Sequence, residues 1–104
     1  MLKDKKALIT GSTSGIGLGI ARALAEAGCD VMLNGIGEAS EIERERQRII
    51  RDFAASAHFN GADLSKAAEI TSLIDGATAE LGRVDILVNN AGIQFTAPVE
   101  EFPP

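Results

Sequence analysis

The stretch Lys6-Ala7-Leu8-Ile9-Thr10-Gly11-Ser12-Thr13-Ser14-Gly15-Ile16-Gly17 decides the fold. An apolar run passes through a glycine-rich turn into an amphipathic segment. A strand, a tight turn and a helix start, in that order, form a cradle for a pyrophosphate. Glycine lacks a Cβ, so the backbone can turn sharply and a phosphate can approach it closely. The new helix presents unpaired N–H groups and the positive end of its dipole to an anion. Ser12, Thr13 and Ser14 can add hydroxyl contacts or cap the helix.

Outward from this turn the pattern alternates. The first strand spans Lys6 to Thr10. A helix follows over about Ser14 to Ala27, with Ile16, Ile20 and Leu24 recurring on one face and Gly28 stopping it. Asp30 to Asn34 is a second strand whose successive apolar residues suit a parallel strand covered on both sides. The next helix, about Ala39 to Ala54, buries Ile42, Ile49, Ile50 and Phe53. Its charged residues, from Glu43 to Arg51, form a solvated face with i,i+4 pairs. Ala57 to Asn60 is a weaker third strand. Lys66 to Leu81 is a helix burying Ile70, Leu73, Ile74, Ala77 and Leu81, with Ser65 as its N-cap and Gly82 at its end. Val84 to Asn89 is the fourth strand, and a loop follows from Gln94 to Pro104. The βαβαβαβ order predicts a parallel α/β sheet with flanking helices and right-handed crossovers. Its strand order is 3-2-1-4, the first half of a doubly wound, Rossmann-type fold.

Composition narrows the function. The chain has 104 residues and a net charge of −5, which suits one acidic domain and argues against nucleic acid and anionic membranes as partners. No apolar run reaches the roughly 20 residues of a membrane helix. The charged N-terminus lacks an apolar segment of signal-peptide length, and the single Cys29 cannot form an internal disulfide, so a cytoplasmic setting is expected. Cys29 and the single His58 are expected to be packing or surface residues, and no metal site is expected.

Two further clusters join the glycine turn. Asn89-Asn90-Ala91-Gly92 follows the fourth strand. In an open α/β sheet, ligands sit beyond the carboxyl ends of the strands where the order reverses, so this segment faces the glycine turn. Ala91 and Gly92 leave room for a ribose, and the two amides can tie loops together. Ala62-Asp63-Leu64 follows the third strand. Asp63 can accept a bond from an adenine amino group or stabilise a helix start, and Leu64 can receive the ring face.

Together these residues resemble the short-chain dehydrogenase/reductase family, and the resemblance spans the whole chain. Gly11-Ser12-Thr13-Ser14-Gly15-Ile16-Gly17-Leu18-Gly19-Ile20-Ala21, Leu33-Asn34-Gly35 and Asn90-Ala91-Gly92-Ile93-Gln94 are closest to the bacterial group acting on D-3-hydroxybutyrate. That likeness implies hydride transfer between NAD(H) and a short 3-hydroxy acid, with Gln94 helping to hold the substrate carboxylate. It also implies a homotetramer for the intact protein. A histidine commonly follows that glutamine in the group; Phe95 stands here.

The end of the second strand bears on the coenzyme. A carboxylate there binds a free ribose 2′-hydroxyl, and a cation binds a 2′-phosphate. Gly35 replaces the acid common among NAD users, while Ser14 and Ile36 replace the basic residues common among NADP users. Glu38 would repel a phosphate, which favours NAD. Ile36 is expected to pack on the adenine.

The family's chemistry uses a Tyr-x-x-x-Lys pair, in which lysine lowers the pKa of the acid/base tyrosine. This chain contains no tyrosine. It is therefore expected to be the amino-terminal, coenzyme-binding part of a single-domain dehydrogenase and inactive alone. A non-catalytic dinucleotide-binding module and an NADPH-dependent 3-oxoacyl thioester reductase are the competing readings.

Overall fold

The computed structural model describes residues 2–90. Its strands are β1 (Lys6–Ile9), β2 (Asp30–Asn34), β3 (Ala57–Asn60) and β4 (Ile86–Val88); its helices are α1 (Gly15–Glu26), α2 (Ala39–Phe53) and α3 (Ala67–Leu81). All pairings are parallel, and the order is β3-β2-β1-β4, as predicted. Ile9 lies opposite Leu33 on one side and Val88 on the other. The chain thus reverses its direction of travel across the sheet between β1 and β4, and a crevice opens at their carboxyl ends.

Side chains alternate across the pleat and build two apolar layers. Ala7, Ile9, Val31 and Leu33 face one way and pack with Ala21, Ala25, Cys29, Ile49 and Ala57. Leu8 and Met32 face the other way, against Leu73, Ala77 and Leu81 of α3. Removing each large aliphatic side chain from water contributes about 1.5–3 kcal/mol.

The buried stripe of α1 differs from the one predicted. Gly17, Ala21 and Ala25 face the sheet, while Ile20 and Leu24 are partly buried at its margin and Ile16 is 69% exposed. Small residues let the helix lie close to β1 and β2. The larger aliphatics would have held it away, so periodicity alone selected the wrong side. On α3, Leu73, Ala77 and Leu81 are buried, but Ile70 and Ile74 are exposed. They join Leu8, Leu64, Leu73 and Leu87 around an apolar groove of about 390 Å³.

Three local expectations also change. Lys66 occupies the N-cap position of α3, while Ser65 Oγ donates to Asp63 Oδ1 at 2.7 Å. The short spacing between Asp63 and Ser65 makes a closed turn that outcompetes a cap. β4 is shorter than predicted: Asp85 N–H still donates to the Lys6 carbonyl at 2.8 Å, but Lys6 N–H turns to the Asp85 carboxylate, at 2.9 Å. Along α2 the glutamate–arginine pairs are i,i+3, Arg46 gripping Glu43 through two nitrogens and Arg48 meeting Glu45, while Gln47 bonds Glu43 at i,i+4 and Arg51 meets its neighbour Asp52. Arg46 also donates to the Ala57 carbonyl at 2.8 Å, tying the helix to β3. That guanidinium, with Gln47, holds the Glu43 carboxyl down at about 2.

Candidate functional site

The turn after β1 is built from the inside outward. Thr10 is buried, and its N–H donates to the Val88 carbonyl at 3.0 Å, fastening the end of β1 to the end of β4. Gly11 then turns with φ +59°, a conformation that favours glycine. Its carbonyl accepts from Asn90 Nδ2 at 2.9 Å. Gly17 sits directly behind: a Cβ there would come within 2.0 Å of the Gly11 oxygen and 2.5 Å of Asn90 Nδ2. The third glycine is therefore required by packing within the protein.

Ser12 and Asn34 form the inner wall. Ser12 is fully buried; its N–H donates to the Asn34 carbonyl at 2.6 Å, and its hydroxyl donates to the Ile9 carbonyl at 2.6 Å. Both of its donors point into the protein, so its role is to support the turn. Asn34 continues the connection. Its Nδ2 donates to the carbonyls of Asn60 at 3.0 Å and Ala62 at 3.1 Å. Through its backbone bonds to Ser12 and its side-chain bonds to Asn60 and Ala62, this one buried residue joins the turn after β1 to the end of β2 and the loop after β3. The sequence signals this role only through a polar residue ending an otherwise apolar strand.

The outer face carries the remaining turn residues. Thr13 Oγ1 donates to the Ile36 carbonyl at 2.7 Å. Ser14 is the N-cap of α1, but its side chain makes no capping bond, and the first turn of the helix holds no acid. Of the two roles open to this hydroxyl, the cap is not made. Ser14, Gly15 and Ile16 are exposed, and a Cβ on Gly15 would meet nothing within 4 Å. The helix start is accordingly uncapped by side chains and sterically open, and its positive end can receive an anion.

A groove of about 490 Å³ begins at this turn. Gly11, Thr13 and Ser14 line one end, Gly35 and Ile36 the middle, and Ala62, Asp63 and Leu64 the other end. Eight of the residues predicted from sequence converge there. Ile36 is 91% exposed and Leu64 half-buried, so both can offer apolar surface to a flat ring. Asp63 Oδ1 accepts from the hydroxyl and the N–H of Ser65, which holds its carboxyl below the usual range. It is ionised and fixed in orientation.

Asn89 and Asn90 act as clamps. Asn89 Oδ1 accepts from Thr10 Oγ1 at 3.3 Å. Asn90 is fully buried behind the turn, with its Oδ1 unpartnered among the described residues. Ala91, Gly92 and Gln94 lie outside the described residues. His58 pairs with Glu80 at 2.9 Å on the edge strand, and Cys29 is buried in the core, its thiol pushed up by burial. Among the described residues no helix is long and apolar enough to cross a membrane.

Comparison with known proteins agrees with this geometry. The chain is 51% identical over its entire length to the D-beta-hydroxybutyrate dehydrogenase of Cupriavidus necator, spanning 40% of that protein. A dehydrogenase/reductase from Sinorhizobium meliloti superposes with a TM-score of 0.83 at 36% identity, over 98% of this chain and 40% of that one. The L-sorbose reductase of Gluconobacter frateurii, solved with NADPH and L-sorbose, superposes with a TM-score of 0.81 at 28% identity, over 97% of this chain and 38% of that one. The family profile described as short chain dehydrogenase matches residues 5–104. With the glycine turn, the 3-2-1-4 sheet and that match in agreement, the chain belongs to the short-chain dehydrogenase family.

Proposed function

We propose that residues 1–104 form the coenzyme-binding portion of a single-domain NAD-dependent dehydrogenase. Its substrate pair is a short 3-hydroxy acid, D-3-hydroxybutyrate, and the matching 3-oxo acid. The observation that carries this reading is the single groove joining the glycine turn to Gly35, Ile36 and Ala62 through Leu64. The open start of α1, with Gly15 and Ile16, takes the diphosphate; Ile36, Asp63 and Leu64 take the adenine. Ser12, Gly17 and Asn90 support the turn from behind. Ala91 and Gly92 border the ribose, and Gln94 holds the substrate carboxylate. The nicotinamide, when bound, supplies the hydride acceptor.

The 51% identity to a D-beta-hydroxybutyrate dehydrogenase supports the substrate. The intact protein is read as a cytoplasmic homotetramer. The test uses the full-length protein: oxidation of D-3-hydroxybutyrate with NAD against reduction of an acetoacetyl thioester with NADPH. Turnover of the hydroxy acid with NAD is expected. Turnover of the thioester alone would reject the substrate. Gln94→Ala should raise KM for the hydroxy acid more than it lowers kcat.

A further inference from the structure

The far wall of the coenzyme groove, Ala62 through Leu64, lies outside any helix or strand, yet its backbone is tied from three directions. Asn34 on β2 donates through Nδ2 to the Ala62 carbonyl at 3.1 Å. Asn60, at the end of β3, accepts the Ala62 N–H through Oδ1 at 3.0 Å. Glu69 on α3 accepts the Asp63 N–H at 2.9 Å. We infer that Asn60, given room by Gly76 of α3, is the positioning residue that holds this wall ready for the adenine. The inference rests on the function just proposed.

Asn60 is half-buried and lies outside the groove lining, so it acts on a ligand only through the residues that follow it. Its two acceptors do different things. The carbonyl takes the Asn34 amide at 3.0 Å and fixes the end of β3 beside β2. The side-chain oxygen reaches forward two residues to Ala62 and closes a turn. That turn sets the direction in which the chain leaves the strand, and Ala62, Asp63 and Leu64 inherit it.

Gly76 prepares the place of this amide from outside the loop. Glycine is unfavourable in a helix interior, and this one stands in the interior of α3. A Cβ on it would come within 2.9 Å of Asn60 Nδ2. That atom is the outer end of a rotatable side chain, so a methyl there displaces the amide before it displaces the helix. A binding wall fixed in advance needs less ordering when the ligand arrives. Loss of the Asn60 turn therefore lowers affinity for the adenosine half of the dinucleotide and spares the nicotinamide half.

The experiment titrates NADH, AMP and reduced nicotinamide mononucleotide into the full-length protein, with thermal melting as the folding control. Asn60→Ala should weaken NADH and AMP in parallel, roughly fivefold, and leave the mononucleotide, which lacks adenosine, within about twofold. In turnover it should raise KM for NAD more than it lowers kcat. Asn60→Asp keeps an acceptor for the Ala62 N–H and should restore most of the affinity. Gly76→Ala should reproduce the loss of AMP affinity with the melting temperature kept. Combined with Asn60→Ala it should add nothing further, because both act through one side chain. Unchanged AMP affinity in Asn60→Ala, equal weakening of AMP and the mononucleotide, or additive losses in the double variant would overturn the inference. Failure of the unmodified protein to bind either NADH or AMP would overturn the parent reading as well.

Discussion

Ser12 and Asn34 hydrogen-bond to each other in both directions. Ser12 N–H donates to the Asn34 carbonyl at 2.6 Å, and Asn34 N–H donates to Ser12 Oγ at 3.0 Å. The pair spans 22 residues of sequence and joins the glycine turn to the end of β2. Removing the hydroxyl leaves the Ile9 carbonyl and the Asn34 N–H buried without this partner. Ser12→Ala should therefore cost about 1–3 kcal/mol in urea denaturation. A loss below a few tenths would mean that the turn repacks freely.

The two glycines nearest the helix start should respond differently. Gly17→Ala drives a methyl into the Gly11 carbonyl at 2.0 Å, so either the helix or the turn must move. Overpacking of this kind costs about 1–3 kcal/mol or more. Gly15→Ala meets open space but must hold φ +58°, at about 1–2 kcal/mol. Dinucleotide binding should suffer in both, with the larger drop in melting temperature for Gly17→Ala. The reverse order of melting temperatures would contradict the packing described.

Asp63 should separate orientation from charge. Asn at this position retains an acceptor for Ser65, whereas Ala removes it. Asp63→Ala should weaken NADH binding to the full-length protein by roughly three- to tenfold. Asp63→Asn should fall between Asp63→Ala and the unmodified protein. Identical titration curves for all three proteins would remove Asp63 from the site.

Acid should loosen the junction of β1 and β4. Asp85 receives the Lys6 N–H and, less strongly, the Arg83 guanidinium, which together hold its carboxyl below its ordinary value of 3.8. A depressed folded pKa stabilises the fold above the unfolded value, and that stability is lost as pH falls through the folded one. The melting-temperature gap between the unmodified protein and Asp85→Asn should be full at neutral pH. It should shrink as the pH drops below 3.8. A gap independent of pH would show that the carboxylate charge contributes nothing.

Much of the architecture was legible in the sequence, for a physical reason. β2 runs over its predicted span because the unbroken apolar run Val31-Met32-Leu33 leaves few alternatives, and β3, with only Ala57 and Phe59 apolar, also matches its predicted span. The groove was legible because glycine spacing and position after a strand are local properties. The side chains supporting it were harder to read. Asn34 acquires its role from carbonyls at Asn60 and Ala62, more than 20 residues away. The exposed Ile16 misled because helical period identifies a face without saying what lies opposite. Only the closeness of α1 to the sheet favours Gly17, Ala21 and Ala25 instead.

The amide of Asn34 also bears on how the molecule opens. β3 ends one side of the described sheet, and the loop after it is moored by that side chain to the strand beside it. A molecule bridging both ends of the groove would add a second mooring in parallel. Amide hydrogens of the edge strand should then exchange with solvent more slowly, although no ligand atom need touch them. Fraying of the margin and occupancy of the groove become two readings of a single equilibrium.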